Sequence, residues 1–174
     1  ILDFTAVEYA WYVEMFIGLF LLIPFLNLIY NGLKTQKQKQ GLLLTLFVIT
    51  SLVSFLSVTF GTYKEYKVFP EYWQSLFPIM YYFIGAYICE FGVKLKKSSL
   101  AIILVITLFY QTYIEYYKSK GLEFASDKYN AYYALPTITI SVVIFLLLYN
   151  IDFKNKAARF IITDISKASF DMYL

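Results

Sequence analysis

The sequence predicts an all-α fold, a polytopic bundle of transmembrane helices, and three observations lead to this prediction. Hydrophobic residues make up 60% of the 174 residues and charged residues only 16%, whereas a soluble domain is roughly 45–50% apolar and about 25% charged. Apolar stretches of roughly 20 residues, the length that crosses a bilayer core as a helix, recur about five times. The short loops between these stretches alternate between lysine-rich and charge-balanced.

Five membrane spans, A to E, are predicted in chain order. Prolines are expected to kink three of these spans or to mark where they start. Pro24 is expected to kink span A, and Pro78 is expected either to kink span C or to mark a late start. Pro136 falls in the first turn of span E, where its missing N–H does little harm. The predicted spans are residues 8–30 (A), 41–60 (B), 71–91 (C), 98–117 (D) and 132–151 (E).

The two ends of the chain look cut. The first residue is Ile1, and the last, Leu174, falls inside an apolar-polar pattern without a helix-ending signal. Residues 157–174 are amphipathic first and apolar later, and we expect them to lead into a truncated sixth span. The chain 1–174 is therefore interpreted as a single transmembrane domain fragment, an internal or C-terminal segment of a longer protein.

The loop charges predict an orientation in the membrane. Three loops carry a basic excess, namely residues 31–40, 93–98 and 152–159, whereas loops 61–74 and 115–131 balance lysines against acidic residues. The basic loops fall on the same side each time, and the positive-inside rule assigns that side to the cytoplasm. Arg159 is the only arginine among 15 basic residues, which is typical of a low-GC bacterium.

Composition excludes several kinds of chemistry within these residues. The sequence contains no histidine, so a histidine base, a Ser-His-Asp triad and a histidine metal site are all excluded, and no metal site is predicted. Cys89 is the only cysteine, which rules out an internal disulfide. Since no nucleic-acid recognition motif is present, no nucleic acid is expected as a partner.

Glu14 is the first candidate for a functional residue, because a carboxylate inside a membrane span is costly and suggests function. Trp11, Glu14, Gly18 and Pro24 form a loose helical stripe, and such a stripe is expected to face the interior of the bundle. The alternative interpretation places Glu14 in the outer headgroup zone, where it is simply hydrated.

Span C supplies a second group of candidates. Tyr82, Gly85 and Tyr87 could line a polar cavity together with Tyr81, with Gly85 allowing close helix approach; packed or interfacial aromatics are the alternative. Glu90 is expected to form an interfacial ion pair with Lys94, four residues further on.

Hydroxyl side chains give a weaker signal in span B. Thr50, Ser54 and Ser57 share one face of this span, and a polar lining is one interpretation. Interhelical hydrogen bonding explains them equally well.

Three stretches together resemble the bacterial membrane acyltransferase 3 family. Trp11–Leu26 (WYVEMFIGLFLLIPFL) resembles its W-Y/F-x4-I/L-G-x-Y-L-x-x-P helix, and Phe77–Ile88 (FPIMYYFIGAYI) its Y-F/Y-L/I/F-x-G-Y/A-Y/F-L/I helix. Ile165–Leu174 (ISKASFDMYL) resembles the I/L-S-x-x-S/T-F/Y-x-I/V-Y-L start of a late helix. Phe20 departs from the family's usual tyrosine. The arginine and histidine of the family's first helix are absent, and that helix would precede Ile1.

The resemblance implies O-acyl transfer across a bacterial cell membrane. An acyl group, often acetyl from acetyl-CoA as co-substrate, would pass to a hydroxyl of a cell-envelope glycan. The catalytic residues are unknown within this chain, because the implied arginine and histidine are expected before Ile1. The resemblance places Trp11, Tyr12 and Glu14 at the outward mouth of a substrate cavity, and Tyr82, Gly85 and Tyr87 on its span C wall.

Two other function classes are compatible with the residues alone. A lipid or polysaccharide transporter or flippase would use the broken helices at Pro24 and Pro78 as gates, but no inverted repeat is evident. A membrane scaffold without a site is the third interpretation. In all three cases the lipid bilayer is an expected partner.

Overall fold

The regular elements of the chain are helical throughout the part that the structure, a computed structural model, describes. This part comprises residues 10–52, 55–56, 69–93, 95–118, 130–149 and 160. It contains α1 (Ala10–Gly32), α2 (Gln36–Phe47), a π-helical turn (Val48–Leu52), a 3-10 helix (Glu71–Leu76), α3 (Phe77–Phe91), α4 (Lys97–Lys118) and α5 (Leu135–Leu148). The all-α prediction is confirmed. The predicted segment 157–174, apart from Phe160, and the loop 152–159 lie outside the described residues.

The chain divides into two compact units. Among the described residues, the first unit holds 10–33 and 160, and the second holds those from 34 to 149. α1 belongs to the first unit and continues as a helix through Pro24. Leu26 and Tyr30 are buried on one face of α1, whereas most of its other apolar side chains are exposed, which suits a helix that contacts lipid or other apolar helices.

Two of the described helices are long and apolar enough to cross a membrane. They are the stretches Trp11–Gly32 of α1 and Lys97–Tyr117 of α4, and little of either is buried. The helix at Leu135–Leu148 is apolar but shorter. A count of five spans therefore stays a prediction.

α2 begins about one turn before the predicted span B, because the local sequence contains a helix start signal. The Thr35 side chain accepts a hydrogen bond from the Gln38 backbone N–H, and the Gln38 side chain accepts one from the Thr35 N–H. This capping box satisfies backbone donors that a helix end otherwise leaves unpaired. Lys39, predicted in a loop, consequently lies within a helix.

Proline and glycine set the limits of the other helices in the second unit. Pro78 and Pro136 fall in the first turns of α3 and α5, where proline is well tolerated. Of the two alternatives for Pro78, the structure has the late start, since the 3-10 helix precedes α3. α3 ends at Gly92, whose φ of 62° favours glycine. α5 begins one turn later than the predicted span E.

Packing within the second unit joins α4 to α5, α2 to α3, and the π-helical turn to the 3-10 helix. Met80, Phe83 and Ile88 of α3 form the buried centre, and Ile138 and Val143 of α5 are also buried. Because α4 follows α3 after a short loop, the end of α3 and the start of α4 lie at the same end of this unit. This end also contains the start of α2.

Candidate functional site

A partly buried ion pair joins α2 to α3 at the end of the second unit that holds the start of α2, the end of α3 and the start of α4, here called the first end. Lys39 is 7% exposed, and its Nζ donates to both carboxylate oxygens of Glu90, at 2.7 and 2.6 Å. The ammonium also lies 5.7 Å from the ring centroid of Phe91, within the range of a cation–π contact. Since a buried charge is tolerated only when it is paired, this contact fastens the two helices.

In the described part of the chain, Glu90 pairs with Lys39 of α2. The predicted partner, Lys94, lies outside the described residues, so that pairing is not tested. Lys39 is 51 positions away along the chain, and helical spacing alone cannot predict such a contact. The contact requires α2 to begin early enough to hold Lys39 in its first turns.

Tyr87 strengthens the same junction. Its hydroxyl oxygen accepts hydrogen bonds from the side-chain amides of Gln36, at 2.9 Å, and Gln40, at 2.8 Å. These glutamines are four residues apart on one face of α2. The Tyr87 ring also packs on Phe91, with the ring centroids 4.7 Å apart. Within the described residues, Tyr87 therefore contacts α2.

The other span C candidates do not share one face with Tyr87. Tyr82 and Gly85 are within about 60° of each other around α3, whereas Tyr87 is about 140° from Tyr82. Tyr82 is half-buried and makes an edge-to-face contact with Phe83. A Cβ at Gly85 would meet no atom within 4 Å, so the predicted close helix approach at this glycine is not seen among the described residues.

The remaining three candidates lie in the first unit. Trp11 and Tyr12 are exposed, and their rings meet edge to face with centroids 6.0 Å apart. Glu14 is exposed too, in the second turn of α1. That these residues face one cavity with Tyr82, Gly85 and Tyr87 stays a prediction.

A buried hydroxyl pair occupies the π-helical turn. Thr50 and Ser51 are 0% exposed, and the Thr50 hydroxyl donates to the Leu46 carbonyl oxygen at 2.8 Å. The two hydroxyl oxygens are 3.0 Å apart, and the Met80 sulfur lies 3.3 Å from Thr50 Oγ1. Thr50 was predicted to share a polar face with Ser54 and Ser57, which are outside the described residues.

The second end of this unit is formed by the start of α3, the end of α4 and the start of α5. The Tyr81 hydroxyl donates to the Tyr132 carbonyl oxygen at 3.0 Å. Phe77 stacks on Tyr132 with ring centroids 5.6 Å apart. Tyr81 thus joins α3 to the segment that leads into α5.

Sequence reasoning missed two residues at this second end. Gln111 Nε2 donates to Asn130 Oδ1, while Gln111 Oε1 and Glu115 Oε1 are buried and have no partner in the described part of the chain. Glu115 had been counted as a loop charge. The sequence signal that could have identified both is their three- and four-residue spacing from Leu100, Leu104 and Thr107, which places them on one helical face.

Two helices long and apolar enough to cross a membrane, with polar side chains buried between helices, are compatible with the class of membrane-associated all-α proteins. The family model described as Acyltransferase domain, that of the acyltransferase 3 family, matches residues 1–174. The chain belongs to this family, which confirms the resemblance found in its sequence motifs. Neither the curated proteins nor the solved structures contain a significant match.

Proposed function

We propose that this membrane acyltransferase domain takes part in moving an acyl group, acetyl in the simplest case, from acyl-CoA to a hydroxyl of a cell-envelope glycan. The observation that carries the proposal is the family match over residues 1–174. In the reaction, a base removes the proton of the acceptor hydroxyl, and the oxygen attacks the thioester carbonyl. The C–S bond then breaks, CoA leaves as the thiolate, and an ester is formed.

The distribution of charge supports one direction of transfer. The first end of the second unit carries the exposed lysines Lys34, Lys37, Lys96 and Lys97, together with the paired Lys39. Exposed cations raise the local concentration of an anionic ligand, and CoA carries phosphates. We therefore assign the acyl-CoA side, and the cytoplasm, to the ends that hold loops 31–40, 93–98 and 152–159.

The opposite side is assigned to the glycan. Trp11, Tyr12 and Glu14 are proposed to lie at this outward mouth, with Tyr82 and Gly85 further along the acyl path. Tyr87 is proposed to line the end nearer the acyl-CoA, since its hydroxyl contacts α2. The 174 residues contain no histidine, so we assign no catalytic base among them.

Label transfer tests this function in bacterial membranes that contain the full-length protein. Radiolabelled acetyl-CoA is added from the cytoplasmic side, and label is expected in the glycan fraction as an ester released by mild alkali. Membranes from the same host without the protein serve as the control and should show no transfer. Membranes with the intact protein that transfer no label to any glycan would contradict the proposal.

A further inference from the structure

One face of α4 is covered along the whole helix and changes from apolar to polar near its C-terminal end. Leu100 is buried, and Leu104, Thr107, Gln111 and Glu115 are partly covered, at the three- and four-residue spacing of a single helical face. This face packs on α5. The hydrogen bond between Gln111 and Asn130 places the end of α4 beside the start of α5.

Three oxygen atoms, two near the end of α4 and one in the first turn of α5, are buried and have no hydrogen-bond partner among the described residues. They are Gln111 Oε1, Glu115 Oε1 and Thr137 Oγ1. Gln111 and Glu115 are neighbours on one face of α4 because they are four residues apart, and Thr137 lies in the first turn of α5. Buried polar atoms in native proteins nearly always have a partner, so each exception requires an explanation.

Two neighbouring threonines show the hydrogen bond that a threonine hydroxyl usually makes in these helices, to the carbonyl oxygen four residues earlier. Thr107 donates to the Ile103 carbonyl oxygen at 2.7 Å, and Thr139 donates to the Leu135 carbonyl oxygen at 2.8 Å. Thr137 differs because the residue four positions earlier precedes the helix. Its hydroxyl is therefore left to a ligand from outside the helix.

The chemistry of the three atoms selects a hydroxyl-rich ligand. An amide oxygen and the oxygens of an ionised carboxylate can only accept hydrogen bonds. A threonine hydroxyl can both donate and accept them. The described residues contain no group of three histidine, cysteine or acidic side chains that could hold a metal ion. Adjacent hydroxyls of a sugar ring supply the donors that a carboxylate oxygen and an amide oxygen can accept.

We infer that Gln111, Glu115 and Thr137 form an acceptor-sugar site, in which they hydrogen-bond hydroxyl groups of the glycan beside the one that is acylated. This inference rests on the proposed function and names the residues that recognise its acceptor. The site lies at the end of the second unit opposite Lys39 and Glu90, where the charge pattern places the glycan side. It determines acceptor affinity and does not take part in the chemical step.

The test uses the full-length protein in membranes and the glycan fraction that the unaltered protein labels. Glu115→Gln is expected to raise the KM for this acceptor about tenfold, and Thr137→Val about threefold to tenfold, as expected for the loss of a charged and a neutral hydrogen bond. The kcat and the KM for acetyl-CoA should stay within about twofold of the unaltered values, because these contacts are made equally before and during the reaction. Thr112→Val, the same substitution on the exposed face of α4, is the matched control and should change neither constant.

Thermal unfolding separates recognition from structure. Without acceptor, Thr137→Val is expected to unfold at the same or a higher temperature than the unaltered protein, since it removes an unpaired buried hydroxyl. A stable Thr137→Val protein with an unchanged acceptor KM overturns the inference, whether or not Glu115→Gln folds. If the unaltered protein labels no glycan at all, the proposed function itself fails.

Discussion

The two ends of the second unit bury polar side chains in opposite ways. At the first end, Lys39 of α2 pairs with Glu90 of α3, and Tyr87 accepts bonds from two α2 glutamines. At the second end, Glu115 and Thr137 keep buried oxygen atoms without a partner among the described residues. Since unpaired buried atoms cost stability whereas paired ones do not, the first end is built to hold helices together and the second to receive a ligand.

The largest expected effect comes from breaking the ion pair between Lys39 and Glu90 at the first end. Glu90→Gln removes the negative charge that faces an almost completely buried ammonium, and we expect the protein to lose about 2 kcal/mol or more of stability. This is somewhat less than the 3–5 kcal/mol for a fully buried pair, because the Glu90 side chain is 41% exposed. Thermal unfolding of the protein in detergent micelles measures the loss.

Two controls make this result interpretable. Glu14→Gln makes the same chemical change at an exposed glutamate of α1 and should alter the unfolding temperature little. The double substitution Lys39→Met with Glu90→Leu removes both charges and should recover much of the loss, because no unpaired charge remains. If Glu90→Gln unfolds at the same temperature as the unaltered protein, the pair does not fasten α2 to α3.

A smaller effect is expected when threonine is replaced by valine at two positions, one where the hydroxyl is hydrogen-bonded and one where it has no partner among the described residues. Thr50→Val removes a hydroxyl that donates to the Leu46 carbonyl oxygen and contacts Ser51, so we expect a loss of about 1–2 kcal/mol. Thr137→Val, in contrast, should cost nothing or stabilise the protein. Unfolding temperatures of the two variants, measured side by side without acceptor, give the comparison. An equal loss in both would mean that the Thr137 hydroxyl has a partner as well.

The sequence was sufficient to predict the helices but not their contacts. Apolar length predicted helical stretches that overlap α1, α3, α4 and α5, because each helix is determined by its own composition and by local signals such as Pro136. The start of α2 was predicted late, since Lys39 and its polar neighbours resemble a basic loop. The capping box at Thr35 was the local signal that could have corrected this.

Contacts between helices depend on distant residues and could not be predicted from spacing. Helical spacing predicts a pair between Glu90 and Lys94, which the described residues do not test, but it could not predict the pair between Glu90 and Lys39, which are 51 positions apart. The same limit applies to the candidate site. The sequence predicts Glu115 in the loop 115–131. Its buried oxygen became apparent only from the structure, in which Glu115 lies in α4 on the face that packs on α5.

The smallest expected effect concerns Gly85, which lies on α3 between the two ends. A Cβ at this position would meet no atom within 4 Å, and alanine favours a helix over glycine by about 1 kcal/mol. Gly85→Ala should therefore raise the unfolding temperature slightly. If the same variant transfers less acetyl label to glycan, the open space beside Gly85 is needed by a substrate, since the fold has not been damaged.

Gly18→Ala in α1 is the matched control for Gly85→Ala. A Cβ at this glycine would likewise meet no atom within 4 Å, so the same gain in stability is expected from helix propensity alone. A fall in transfer for Gly85→Ala but not for Gly18→Ala would place the acyl path along α3, between its paired and unpaired ends. Equal transfer by both variants and the unaltered protein would remove Gly85 from the cavity wall.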